Sequence, residues 1–95
     1  MKPVRFSEEK NAWLKVNRGI DFEEISKSIK KGKIVKVINH PNKKRYPKQR
    51  MFLVNSRNYI FIVPFIEESE YIFLKTIYPS RKYTKQYLKV RRILK

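Results

Sequence analysis

The chain has 95 residues, room for one domain and one core that hides roughly two thirds of the unfolded surface. Its 24 Lys and Arg against 8 Asp and Glu leave a formal charge of +16, a self-repulsion that points to a polyanionic partner, with nucleic acid first and an anionic membrane surface second. No cysteine is present for disulfides or thiolate metal sites, no apolar run nears the length of a membrane span, and the N-terminus lacks the apolar core of a signal peptide, so the sequence predicts a cytoplasmic protein that does not engage a membrane.

In chain order, Ser7 is a good N-cap with Glu8 and Glu9 in the first turn behind it. Trp13, Leu14 and Val16 are the expected apolar contacts of this first helix, and Arg18 with Gly19 marks its end. Asp21 with Glu24 has the spacing of a capping box, and Ile20 with Ile25 that of a hydrophobic staple, so a second helix follows at once. Phe22, Ile25 and Ile29 share its apolar face until Gly32.

From Lys33 the pattern changes to a β-branched run, Ile34, Val35, Val37 and Ile38, which predicts a first strand broken by Asn39, His40, Pro41 and Asn42. Lys43, Lys44, Arg45, Tyr46, Pro47, Lys48, Gln49 and Arg50 make a cationic loop with an aromatic inside it. A second strand over 51–54, a turn over 55–58 and a third strand over 59–65 follow, with Pro64 placing that strand at an edge or a bulge. An acidic connection over 66–70 leads to a fourth strand over 71–78, in which Tyr71, Phe73, Lys75 and Ile77 alternate with Ile72, Leu74, Thr76 and Tyr78. Pro79 stops it, Ser80 caps a last helix running to about Arg91, and Tyr83, Tyr87, Val90 and Leu94 fall at helical spacing. The expected fold is α+β: two N-terminal helices, a four-stranded, mainly antiparallel twisted sheet whose last three strands form a meander, and a C-terminal helix.

This order, with Lys10, Asn11 and then Arg18, Gly19, Ile20, Asp21, Phe22, Glu23, Glu24 over both helices, and Lys75, Ser80, Arg81, Lys82, Thr84 at the last strand and helix, resembles the BrnT family of bacterial toxins in the RelE/ParE-like group. Arg50 falls where that family usually carries an arginine, whereas Arg18 stands where it usually has His and Tyr87 where a Glu is common. The resemblance implies a RelE-like domain, ribonuclease activity that stops translation, and neutralisation by a partner antitoxin, often one with a ribbon-helix-helix domain.

RNA cleavage requires the 2′-hydroxyl in line with the leaving 5′-oxygen, cations for the charge on the phosphorane-like transition state, and proton transfer at both oxygens. Arg81, Lys75 and Arg50 are the expected phosphate contacts, with Arg81 preferred because its fork makes two hydrogen bonds to one phosphate. His40 is the only side chain whose ordinary pKa lies near neutrality, hence the natural proton donor or acceptor. Lys43, Lys44, Arg45, Tyr46, Tyr78, Lys82 and Lys85 are expected RNA contacts, the tyrosines by stacking. Each has a plainer role open to it: a solvent-facing helix-start cation for Arg81, a snorkelling lysine for Lys75, a surface turn residue for His40, a solvated charge run for the loop. One His and no Cys build no metal cage, and the two glycines, both at helix ends, make no phosphate loop, so no cofactor is expected. A non-catalytic nucleic-acid binder, or a RelE-fold toxin acting on a protein target such as gyrase, uses the same composition.

Overall fold

The computed structural model describes residues 1–88. The elements are β1 (Val4–Phe6), α1 (Glu8–Arg18), α2 (Phe22–Lys30), β2 (Ile34–Asn39), β3 (Gln49–Ser56), β4 (Tyr59–Glu67), β5 (Ile72–Leu74), β6 (Tyr78–Pro79) and α3 (Arg81–Tyr87). Together they form an α+β fold with three helices and a mixed six-stranded sheet in the order β1-β5-β4-β3-β2, with β6 also attached to β4. From β2 to β5 the strands are an antiparallel meander.

Both opening helices begin as the sequence dictates. Ser7 Oγ accepts from the Lys10 amide, Asp21 Oδ1 accepts from the Glu24 amide at 2.8 Å, and Gly19 closes α1 in the left-handed region at φ 66°. The capping box is only half made, because the Glu24 carboxylate turns away from the Asp21 amide to meet Arg57. Arg57 and Asn58 form a two-residue hairpin turn with φ 58° at both, and the strain of a left-handed arginine is offset by its fork on Glu24 and a bond to the Gly19 carbonyl. Ser56 Oγ also donates to Glu24, so the tip of the β3–β4 hairpin is clamped to the α1–α2 corner.

Asn11 fixes the two helices to each other. It is 3 % exposed; its Oδ1 accepts from the Phe22 amide at 2.7 Å and its Nδ2 donates to Glu23 at 2.8 Å, satisfying a donor that α2 leaves open at its first turn. Leu14 lies one turn further along the same face, and these two are the buried residues of α1. Trp13 and Val16 do not pack as expected, being 44 % and 84 % exposed, because they sit off the stripe that Asn11 and Leu14 define.

Leu14, Ile20, Phe22, Ile25 and Ile29 from the helices meet Phe52, Val54, Phe61, Val63, Phe65, Ile72, Leu74 and Ile77 in one core. Each such side chain contributes about 1.5–3 kcal/mol, so apolar burial outweighs any single polar link. The register places Met51, Leu53, Ile60 and Ile62 on the opposite pleat.

The sheet departs from expectation in three places. A short strand at the N-terminus, β1, pairs in parallel with β5 at the sheet edge; three residues, VRF, are too few for a periodic signal. Pro64 is not at a sheet edge, since β4 is flanked by β3 and β5, but a bulge does lie at its position, in the strand facing it. The single fourth strand over 71–78 is in fact two. Leu74 pairs with Phe65, and the Lys75 amide donates to the Pro64 carbonyl at 2.8 Å, but proline has no N–H to return the bond. The chain leaves the ladder and re-enters with Tyr78 opposite Ile62. Three steps from Lys75 to Tyr78 against two from Pro64 to Ile62 insert one residue, a bulge that reverses the alternation. Ile77 therefore turns into the core with Ile72 and Leu74, at 0 % exposure, and Tyr78 shares the pleat of Lys75.

Ser80 caps α3 by accepting from the Tyr83 amide, as its position predicts. Val90, Arg91 and Leu94, expected to continue that helix, lie outside the described residues.

Replacing Asn11 with Ala leaves the buried Phe22 amide without an acceptor and should lower unfolding free energy by about 1–3 kcal/mol. Urea denaturation of the variant against the parent measures this, and an unchanged midpoint would contradict the helix-joining role.

Candidate nucleic-acid interface

Charge is segregated along the chain. All eight acids fall in 8–9, 21–24 and 67–70; residues 25–66 carry eleven Lys and Arg and no acid, and residues 71–95 carry eight and no acid. Folding concentrates this contrast, because the acids are engaged away from α3. Glu24 pairs with Arg57 at 2.6 Å, and Glu67 pairs with Lys2 at 2.9 Å and Arg50 at 2.7 Å, the three ion pairs among the described residues. Hydrogen bonding from Arg57, with Ser56 adding to it, holds the Glu24 carboxyl below its usual range. Glu67 is lowered by Lys2 first and by Arg50 second, and Glu23 by its bond from Asn11.

At the β6–α3 junction no such neutralisation occurs. The Ser80 amide donates to the Ile60 carbonyl at 2.9 Å, the Ile60 amide donates to Thr84 Oγ1 at 2.8 Å, and that hydroxyl donates to the Ser80 carbonyl at 2.7 Å. Thr84 thus stands in for a missing strand partner, and the start of α3 is pinned to β4. From this fixed point Arg81, Lys82 and Lys85 project exposed, with no acid in the helix's first turn and no ion pair among the described residues. Lys82 lies over the Tyr83 ring at 5.4 Å, and Tyr83 and Tyr87 are 6.2 Å apart. Lys75 is exposed opposite Pro64, and Tyr78, 37 % exposed, reaches Met51 Sδ with its hydroxyl at 4.0 Å. Successive rows of one pleat thus carry Ile38, Met51, Pro64 and Lys75, then Lys36, Leu53, Ile62 and Tyr78.

Arg18, which ends α1 and stands where the BrnT-like pattern usually has His, joins this junction. Its Nη1 donates to the Ile77 carbonyl at 2.7 Å and reaches Thr76 Oγ1 at 3.4 Å, so it spans the segment that the bulge pushes out of the ladder. Its guanidinium also lies 5.1 Å from the Trp13 ring centroid. The signal was present in the spacing: Asn11, Leu14 and Arg18 follow one another at three and four residues, one inner face of α1.

The remaining site residues collect elsewhere. Residues 40–48 form a loop ordered by its own bonds: Asn42 Oδ1 accepts from the Arg45 amide, the Tyr46 amide donates to the Asn42 carbonyl, and the His40 and Tyr46 rings sit 4.5 Å apart. Lys43, Lys44 and Arg45 are exposed on this loop, with Arg45 over Tyr46 at 5.6 Å. His40 Nδ1 accepts from the Asn42 amide at 3.0 Å, which commits that nitrogen to the turn and leaves Nε2 as the protonated one in the neutral ring. Arg50 lies over the Phe65 ring at 5.2 Å and is tied to Glu67, on the pleat opposite to Lys75. Arg50 pairs across from Phe65, whereas Ser80 is bonded to Ile60, five residues away and about 17 Å along the strand. Arg81 and Arg50 are therefore not brought to one phosphate. By the same measure Lys75, opposite Pro64, lies four residues of strand, about 13 Å, from Ser80 opposite Ile60, so Lys75 and Arg81 are not brought to one phosphate either. Two cationic groups result, one at the junction (Tyr78, Arg81, Lys82 and Lys85, with Lys75 further back along the chain and Arg18 bonded to the bulge) and one on the loop.

No helix among the described residues is long and apolar enough to cross a membrane. Comparison with models of known protein families, with curated proteins and with solved structures finds no match.

The carboxylates held in ion pairs also set an acid sensitivity. Glu24 has a folded pKa below its ordinary value of 4.5, so the unfolded chain takes up its proton first. Its stabilisation is complete above that ordinary value and is lost as the pH falls through the lower folded one. Thermal unfolding measured from roughly pH 6 downward should show a falling midpoint in the parent and a flatter profile in Arg57→Ala. Parallel profiles for the two proteins would contradict the clamp.

Proposed function

We propose that the chain is the toxin of a type II toxin–antitoxin pair, a RelE-like endoribonuclease that cleaves mRNA without a metal and inhibits translation, working in the cytoplasm and held inactive by a partner antitoxin that is acidic or carries a ribbon-helix-helix domain. The observation that carries the reading is the acid-free cationic surface at the β6–α3 junction, where pinned backbone presents Arg81, Lys82 and Lys85 after the exposed Tyr78, with Lys75 further back along the chain. A rigid cationic patch interleaved with aromatics suits a single-stranded backbone whose bases stack between phosphate contacts. The BrnT resemblance of the same residues adds the class of chemistry.

In that chemistry the 2′-oxygen of one nucleotide attacks the adjacent phosphorus, its proton leaves to an acceptor, the bond from phosphorus to the 5′-oxygen breaks, and that oxygen takes up a proton. Arg81 spans two phosphate oxygens as charge builds, Tyr78 supports a flanking base, and Lys75 meets another phosphate further along the RNA strand. Lys43, Lys44, Arg45 and Tyr46 on the loop hold a more distant stretch of the same strand. A second reading is RNA binding without cleavage. It is favoured by the place of His40 on the loop after β2 and by the pairing of Arg50 with Glu67, which leave the junction without that proton carrier and that cation.

Expression of the chain alone should arrest growth and yield transcripts with discrete new 5′ ends, and Arg81→Ala should lose both while keeping the parent's circular dichroism and unfolding midpoint. Toxicity undiminished in Arg81→Ala would refute the placement of the site. Growth arrest with intact transcripts would refute cleavage.

A further inference from the structure

Trp13 is the chain's one tryptophan, and it is 44 % exposed on α1, off the face that buries Asn11 and Leu14. Two cations attend its ring: Lys10 Nζ at 4.5 Å from the centroid and the Arg18 guanidinium at 5.1 Å. They differ in freedom. Arg18 is fixed by its bond to the Ile77 carbonyl, whereas Lys10 makes no ion pair among the described residues and can swing off the ring. Beside the ring lies a shallow hollow of about 300 Å³ lined by Ser7, Glu9, Lys10 and Trp13. Arg18 thus connects an open aromatic plane directly to the bulge between Lys75 and Tyr78.

We infer that Trp13, Lys10 and Arg18 form a subsite for one RNA base next to the β6–α3 junction, with the base stacked on the indole and its phosphate met by the two cations. The inference deepens the proposed RNA-directed function and rests on it. An indole plane accepts any base, and a cation that leaves the ring for a phosphate exchanges one favourable contact for a stronger one. Glu9 at the rim sets the polarity of the site: it repels a phosphate from the start of α1 and turns the backbone toward Arg18 and the junction. The strand so placed runs from Trp13 across the bulge to Arg81. An acidic protein segment would meet the same cations but has no use for an exposed stacking plane.

Because Trp13 is the sole tryptophan, its emission reports the subsite directly in the full chain. A short oligoadenylate should quench it saturably and deeply, while inorganic polyphosphate and a Glu-rich peptide, which can draw Lys10 off the ring but have no base to stack, should change it far less even where they bind. By fluorescence anisotropy of labelled oligoadenylate, Trp13→Ala should bind about five-fold or more weakly, with polyphosphate binding unchanged, and Trp13→Phe should recover most of the loss. Unaltered oligoadenylate affinity in Trp13→Ala, equal losses for RNA and polyphosphate, or equal quenching by the acidic peptide would overturn the subsite. If Trp13→Ala folds poorly, the parent's emission against the three probes still decides. Failure of labelled RNA to bind the parent protein would remove the functional reading itself, whereas RNA binding alike in parent and Trp13→Ala would remove only the subsite.

Discussion

The hydrogen bond that Pro64 cannot make shapes the β5–β6 end of the sheet. An antiparallel pair in hydrogen-bonded register exchanges two bonds, and Lys75 gives one to Pro64 and receives none. The fourth strand breaks at that point, one residue is inserted, and three consequences follow from the same reversal. Ile77 enters the core, Tyr78 emerges on the pleat of Lys75, and the Ile77 carbonyl is left for the Arg18 guanidinium. A proline in the middle of a sheet is costly, and here its position opens the surface on which the cations of α3 stand.

Electrostatics complete the arrangement. A net charge of +16 opposes folding, and the few acids are spent where the fold must be held: Glu24 on the hairpin tip through Arg57, Glu67 at the β4–β5 end through Lys2 and Arg50, Asp21 and Glu23 at the start of α2. What this leaves at the junction is a surface of unneutralised Lys and Arg, ordered by Thr84 and Ser80 and not by opposite charge. Binding of a polyanion would relieve repulsion there without breaking any of the pairs that stabilise the sheet. The loop over 40–48 is a second such surface, organised by Asn42 and the His40–Tyr46 contact.

Much of this fold is legible in local chemistry. Ser7, Asp21 and Ser80 cap the three helices, Gly19 ends the first, and the β-branched run at 34–38 is the first strand of the meander. These features rest on contacts within a few residues, which a sequence displays. The misses rest on contacts between distant residues. Whether alternation persists through 75–78 depends on Pro64, about a dozen positions earlier, and whether β1 forms depends on β5 being there to receive it. Glu24 satisfies the spacing of a capping box, yet its carboxylate is drawn to Arg57 by charge and geometry that only the folded hairpin supplies. Candidate site residues divide in the same way. Tyr78, Arg81, Lys82 and Lys85 lie together because they are close in sequence, whereas Lys75 lies four rows back along the sheet from Ser80, Arg50 lies one row beyond Lys75 on the opposite pleat, and His40 lies on the loop after β2; these share basic character with the α3 cations but not place. Apolar character alone places Trp13 in the core; its offset from Asn11 and Leu14 is the pattern that marks it as outward.

Hydrogen–deuterium exchange of the full chain with and without a single-stranded RNA tests the central claim most directly, since it reads every part of the surface at once. The account predicts protection over residues 75–88 and the outward side of α1, weaker protection over 40–48, and none at the acidic 67–70 turn or on α2. Protection confined to α2 and the 67–70 turn, or none anywhere at RNA concentrations that saturate binding, would contradict it.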